Sequence, residues 1–360
     1  MEQMKHTDTI KERLESFRNV ADRPFQFDEE AIVTAYQNAN ESPSLPVKIL
    51  SIFGGLLANL AFVGFLFIAG LYKSDVGLLL SGGIFIVGAI GSSRSFDRTI
   101  TDTISISAFI TGCALFLLGC EKINASENII SMIFILIGLG TLSIVRNYVL
   151  AFISVLIING SMLTLIVSNK DYAFIHMYIS ALALGTTYFF MKEATIITTN
   201  KAFSKLYNPV RAGLIFSFVS ALALLGEKKF FPLSSDFIWL SSIVIILIII
   251  YLIYKLFDIL NIKQTKLKTG IYIFTVLGLL PTILAPSISG AFLVLLLCFL
   301  VAYQTGFVLG IISFVYFIAQ YYYNLDFTLL TKSILLFATG VFFSILYWFT
   351  LKKLTANEKV

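Results

Sequence analysis

What most constrains this chain is a succession of apolar stretches, each about 16 to 25 residues long, that begins at Val47 and runs almost to the end. A helix rises ~1.5 Å per residue, so roughly 17–25 apolar residues carry it across a ~30 Å hydrocarbon layer. Every backbone amide and carbonyl in that layer must be satisfied within the protein, which leaves helices and closed barrels as the only spanning structures. Barrel strands alternate apolar and polar residues over about ten positions. The stretch "SSIVIILIIIYLIY" at 241–254 is instead apolar on all sides. The composition agrees, with 58% hydrophobic and 13% charged residues, against roughly 45–50% and ~25% in soluble domains. The expected fold class is an all-α integral membrane protein.

Twelve candidate spans are read at 47–71, 76–91, 103–120, 128–144, 148–167, 173–191, 210–225, 236–254, 269–285, 288–303, 305–320 and 327–351. Within 269–320 the connections "APS" (285–287) and "YQT" (303–305) are so short that two spans plus a re-entrant piece is an alternative. With the N-terminus inside, 20 Lys and Arg residues fall on the inner side and 6 on the outer. That is the bias of cytoplasmic loops, and it predicts an even number of spans with both termini cytoplasmic. Consecutive hairpins are the natural unit. Hairpin starts at Val47, Thr103, Tyr148, Val210, Gly270 and Thr305 are 56, 45, 62, 60 and 35 residues apart, short of the fixed period that marks a repeat.

Three segments follow: a cytoplasmic helical hairpin and linker at 1–46, a polytopic transmembrane domain at 47–351, and a basic cytoplasmic tail at 352–360. In the first, Ile10, Leu14, Phe17 and Val20 recur at helical spacing, and Asp28 is placed to cap a second helix that begins with Glu29 and Glu30. Helices this short are marginal alone, so the pair is expected to pack as a hairpin or to dock on a protein partner or the membrane face. The first apolar run lacks a cleavage site of small residues, so no secretory signal is expected. The net charge of +5 comes from basic residues scattered among loops, which argues against nucleic-acid binding. Cys113 and Cys120 are seven residues apart on one helix, too far for a disulfide. With Cys298 they read as small core residues.

No zinc spacing, nucleophile elbow, P-loop, paired-carboxylate motif or cofactor fingerprint is present, so the chain is expected not to be an enzyme. None of the spans as bounded above carries Asp, Glu, Lys or Arg near its centre, which disfavours a pump built on a midplane charge. The candidate polar sites are Asn159 and His176 within spans, Pro281 in the interrupted stretch "TGIYIFTVLGLLPTILAPSISG", and Asp326 with Lys332 in "YYYNLDFTLLTKS". Neutral polar groups in spans commonly hydrogen-bond between helices, and Gly and Pro breaks either kink a helix or line a transport site. Asp326 is placed to cap the last span at an interface where the tyrosines anchor. Lys332 lies about 240° around that helix from Asp326, so the two form no intrahelical pair.

Three stretches, "LPVKILSIFGGLLANLAFVGFLFIAGL", "SDVGLLLSGGIFIVGAIGSSRSFDRTITDTISISAFITG" and "YYYNLDFTLLTKSILLFATGVFFSILYW", resemble a bacterial family of polytopic membrane proteins known only as a domain of unknown function. The resemblance implies a multi-span protein of the bacterial cytoplasmic (inner) membrane with a cytoplasmic helical lead-in, and it supplies no activity or site residue. Two functions are weighed from architecture. One is transport of a neutral or lipidic solute, with a water-accessible path through spans five, six and nine. The other is a non-catalytic scaffold that docks a partner through residues 1–46.

Overall fold

The computed structural model describes residues 45–68, 70, 73–95, 99–226, 238–260 and 264–324, with short stretches between 328 and 344. The hairpin read within 1–44, the tail at 352–360 and Asp326 lie outside these described residues. All regular structure among the described residues is helical, and the chain divides into two compact units, Met1–Asn124 and Ala125–Val360.

In the first unit, α1 (Leu45–Ile68), α2 (Asp75–Ser95) and α3 (Thr99–Lys122) pack with α3 against both others. The α2–α3 contact is close because glycines face the partner backbone. A Cβ at Gly82 would lie 2.6 Å from the Phe116 amide nitrogen, and one at Gly112 would lie 2.9 Å from that of Ile86. Without a hydrophobic drive between helices in lipid, such small-residue contacts supply the packing energy. Leu78, Leu115 and Val63 fill the space beside them, and Lys122 meets Asp75 at 3.5 Å.

The second unit holds α4 (Glu127–Ile144), α5 (Tyr148–Ser168), α6 (Ala173–Met191), the short α7 (Glu193–Thr199), α8 (Lys201–Gly226), α9 (Ile238–Ile259), α10 (Thr265–Leu279), a 3-10 turn (Leu280–Leu284), α11 (Pro286–Leu300) and α12 (Gln304–Asn324). Short polar residues set the boundaries. The Asn147 side chain accepts from the Val149 and Leu150 amides at 2.9 and 3.2 Å, satisfying donors that a helix start leaves free. Ser126 does the same for Ile129 at 3.4 Å. The core lies among α6, α8, α9 and α11, where Ile179, Phe218, Leu222, Ile249 and Leu293 are buried together.

Nine stretches among the described residues are long and apolar enough to cross a membrane, and two shorter apolar helices, Phe53–Ile68 and Pro286–Leu300, accompany them. Most of the span read at 327–351 lies outside the described residues. The region 269–320 resolves into three helices, with the α10 stretch the most exposed, only 6% of its window being buried. Sequence-adjacent helices that pack closely are α2 with α3, α4 with α5, α6 with α8, and α11 with α12. The packed hairpins are therefore staggered by one span from starts at Val47, Thr103 and Tyr148.

Candidate functional site

The helix expected from 210 begins nine residues earlier, at Lys201. Pro209 sits inside it, where it lacks an amide hydrogen for the Lys205 carbonyl. The candidate membrane span on this helix covers Phe203–Gly226, and Arg211, counted in the sequence among loop residues, lies within the helix. Arg211 is 8% exposed, and an ionisable group at such a position marks a functional site by default.

The Arg211 guanidinium is held on several sides. Nη1 donates to Glu193 Oε1 at 3.3 Å, and Nη2 donates to Asn208 Oδ1 at 2.8 Å. Its plane lies over the Tyr303 ring at 3.9 Å, with the Tyr207 and Phe190 rings at 5.0 and 5.8 Å, an arrangement favoured by attraction between a cation and the ring faces. Tyr207, one turn before Arg211, shares its face and stacks on Phe189 at 4.9 Å. Two atoms in this box lack a partner despite burial, Arg211 Nε and the Tyr207 hydroxyl.

Local folding brings these residues in from three elements. A one-residue break at Lys192 separates α6 from α7, so that Phe190 lies in the last turn of one helix and Glu193 opens the next. Tyr303 is delivered by the tight turn after α11. There Tyr303 N donates to Cys298 O at 2.8 Å and Ala302 N to Phe299 O at 3.2 Å, with Ala302 at φ 53°. That is the paired bonding of a Schellman motif, in which the residue of positive φ is usually glycine. Gly306 leaves room for the ring, since a Cβ there would lie 2.5 Å from Tyr303 Cδ1 and 2.6 Å from Cys298 Sγ. Burial raises the Tyr303 pKa, and the neighbouring Tyr148 adds to the rise.

His176, read from the sequence as a candidate, is fully buried, with Nδ1 3.0 Å from Ser241 Oγ across the α6–α9 contact and Nε2 unpartnered. Asn159 donates to Val155 O at 2.8 Å and accepts from the Tyr178 hydroxyl at 3.1 Å, linking α5 to α6. Tyr178 and His176 are two residues apart and so face different sides of α6. Pro281 is exposed and sits at the start of the 3-10 turn that ends α10. Lys332 donates to the Tyr323 carbonyl at 3.4 Å and lies over the Tyr322 ring at 5.5 Å. The cap bond described near it is made by Thr328, whose Oγ1 accepts from the Thr331 amide at 3.3 Å. Among the four described candidates no two are brought together; a described partner appears for three of them, on α6, α9 and the tyrosine segment. Arg211, Glu193 and Tyr303 were missed, although "YNPVR" at 207–211 already places an aromatic, an amide and a cation on one turn of helix.

Among the described residues no group of three or more His, Cys, Asp or Glu side chains is arranged to hold a metal ion. Cys113, Cys120 and Cys298 are free thiols. Long apolar helices and buried interhelical hydrogen bonds define a multi-pass, all-α membrane protein. The chain belongs to the family described as Domain of unknown function (DUF4401), which matches residues 44–353. No curated protein and no solved structure matches the chain.

Proposed function

We propose that this protein is a non-catalytic transporter that passes a small polar or amphiphilic solute, neutral or lipidic, along a seam between α6, α8 and α9. It is read as lying in the bacterial cytoplasmic membrane with both termini inside. One observation carries the reading. Among the described residues of 125–360, the buried side-chain atoms without a hydrogen-bond partner are His176 Nε2, Thr186 Oγ1, Tyr207 OH, Arg211 Nε, Ser217 Oγ and Ser242 Oγ. All six belong to those three helices, and α6 packs against both others. A buried polar group left unpaired costs about 1–3 kcal/mol, so six on these three helices are a standing demand for water or for a polar solute.

Their order along the helices supports passage. His176 and Ser242 lie near the ends of α6 and α9 that the charge bias puts outside. Thr186 is ten residues further along α6, about 15 Å, and Arg211 with Tyr207 lies toward the inner end of α8. The path expected through spans five, six and nine is less favoured, because Asn159 and Tyr178 satisfy one another and the α10 stretch is mostly exposed.

The test uses the full chain with its three cysteines replaced by serine and single cysteines introduced by Thr186→Cys, Ser217→Cys or Ser242→Cys. A membrane-impermeant methanethiosulfonate should label all three variants in membranes and should spare Ser154→Cys, whose hydroxyl is bonded to Leu150 O at 2.7 Å in a closed contact. If the three seam positions resist the reagent as Ser154→Cys does, transport is overturned. The scaffold reading, with residues 1–46 docking a partner, then takes its place.

A further inference from the structure

We propose that Arg211 is the binding site for a carboxylate on a lipidic transported solute, which takes the place of Glu193; this rests on the lipidic alternative of the transport reading above. The box around the guanidinium offers donors and aromatic walls. Nε is unpartnered, Nη1 becomes free once Glu193 leaves, and the Tyr207 hydroxyl sits beside both the Arg211 and Glu193 side chains. Arg211 and Tyr207 are 8% and 1% exposed. Nε is therefore a built-in, buried and unused donor, with a phenol beside it.

The present occupant has the marks of an exchangeable one. Glu193 contacts Arg211 through one oxygen at 3.3 Å, whereas charge-assisted N–H···O bonds usually measure about 2.7–2.9 Å and an Arg–carboxylate pair is frequently bidentate. Its side chain is 31% exposed, against 10% for that of Arg211, and it stands on a seven-residue helix that has no buried residues. Glu193 can swing outward into water, and Arg211 cannot. An arriving carboxylate would gain the side-on edge of the guanidinium, Nε with an Nη, while the Tyr207 hydroxyl donates to its second oxygen. The rings of Tyr303 and Phe190 would flank an apolar tail. A cation finds only the Glu193 carboxylate, already paired to Arg211, so the chemistry selects an acid.

Binding of radiolabelled octanoate and, separately, acetate to the detergent-solubilised full chain tests this. Octanoate should bind the native protein, and Glu193→Gln should bind it at least tenfold tighter, because the internal competitor has lost its charge. Tyr207→Phe should weaken binding about fivefold, and Arg211→Gln should abolish it. Binding of octanoate alone supports an amphiphilic acid as the solute, and acetate binding as tightly as octanoate overturns the lipidic solute. Affinity unchanged or weaker in Glu193→Gln, or retained in Arg211→Gln, overturns the proposal. The Glu193→Gln and Tyr207→Phe arms decide it even where Arg211→Gln fails to fold. Labelling of the Thr186→Cys variant without octanoate binding overturns the acid site and leaves the path. Octanoate binding without that labelling supports the acid site and overturns the path.

Discussion

At the scale of single residues, this membrane protein hides its polar groups in two ways. Some are closed on a neighbour: Ser154, Ser180 and Thr187 each return a hydroxyl proton to the carbonyl four residues back, at 2.7 Å. Others bridge helices, as Tyr178 does to Asn159. A double-mutant cycle of Asn159→Leu and Tyr178→Phe should give a coupling of about 0.6 kcal/mol and no more than ~1.7, the range of such bonds in membrane bundles; reversible unfolding in detergent or bicelles measures it. Gly306→Ala should push the Tyr303 ring off Arg211 and lower the thermal midpoint, whereas Gly185→Ala, with nothing within 4 Å of its added carbon, should not. Asn159 and His176 were legible in the sequence because a polar residue inside an apolar run is conspicuous. Arg211 was not, because it stands next to loop-like residues and a proline, and only the continuation of α8 back to Lys201 shows it to be helical and buried.

At the scale of elements, backbone approach decides which helices pair. Gly82→Ala would place a carbon 2.6 Å from a backbone nitrogen of α3 and should destabilise the first unit by about 1–3 kcal/mol. Gly83→Ala meets nothing within 4 Å and should stabilise it by about 0.5–1 kcal/mol through helix propensity. Thermal unfolding of the two variants side by side separates packing from propensity. The turn that delivers Tyr303 holds exposed Ala302 at φ 53°, a conformation that costs L-residues roughly 1–2 kcal/mol. Ala302→Gly should therefore raise stability by about 0.5–1 kcal/mol, reduced somewhat by the greater freedom of glycine in the unfolded chain. Most helix positions were readable as apolar runs. The stagger of the hairpins was not, since a run of Leu and Ile looks the same whichever neighbour it faces.

At the scale of the whole molecule, the charge bias assigns a side to each connection. Alkaline phosphatase fused after Asn124 or Asn169 should be active in a bacterial host, and fused after Asn147 or Ala302 it should be inactive. The opposite pattern would invert the topology and with it the inner placement of Arg211. The division at Asn124 falls in one of these outer connections, where no helix is interrupted.

Hydropathy alone determined that this chain is a bundle of membrane-crossing helices, because the bilayer imposes length and apolarity on each span independently of its neighbours. Charge counting led to the expected orientation for the same reason. Which polar groups end satisfied and which end orphaned was decided only in three dimensions. A hydrogen bond or an ion pair needs a partner at about 3 Å, and here that partner comes from helices far along the chain, as Ser241 does for His176 at 65 residues and the Gly226 carbonyl for Asn324 at 98. The unpaired groups that the second unit leaves on α6, α8 and α9, and the enclosure of Arg211 by Glu193 and Tyr303, are therefore properties of the packing.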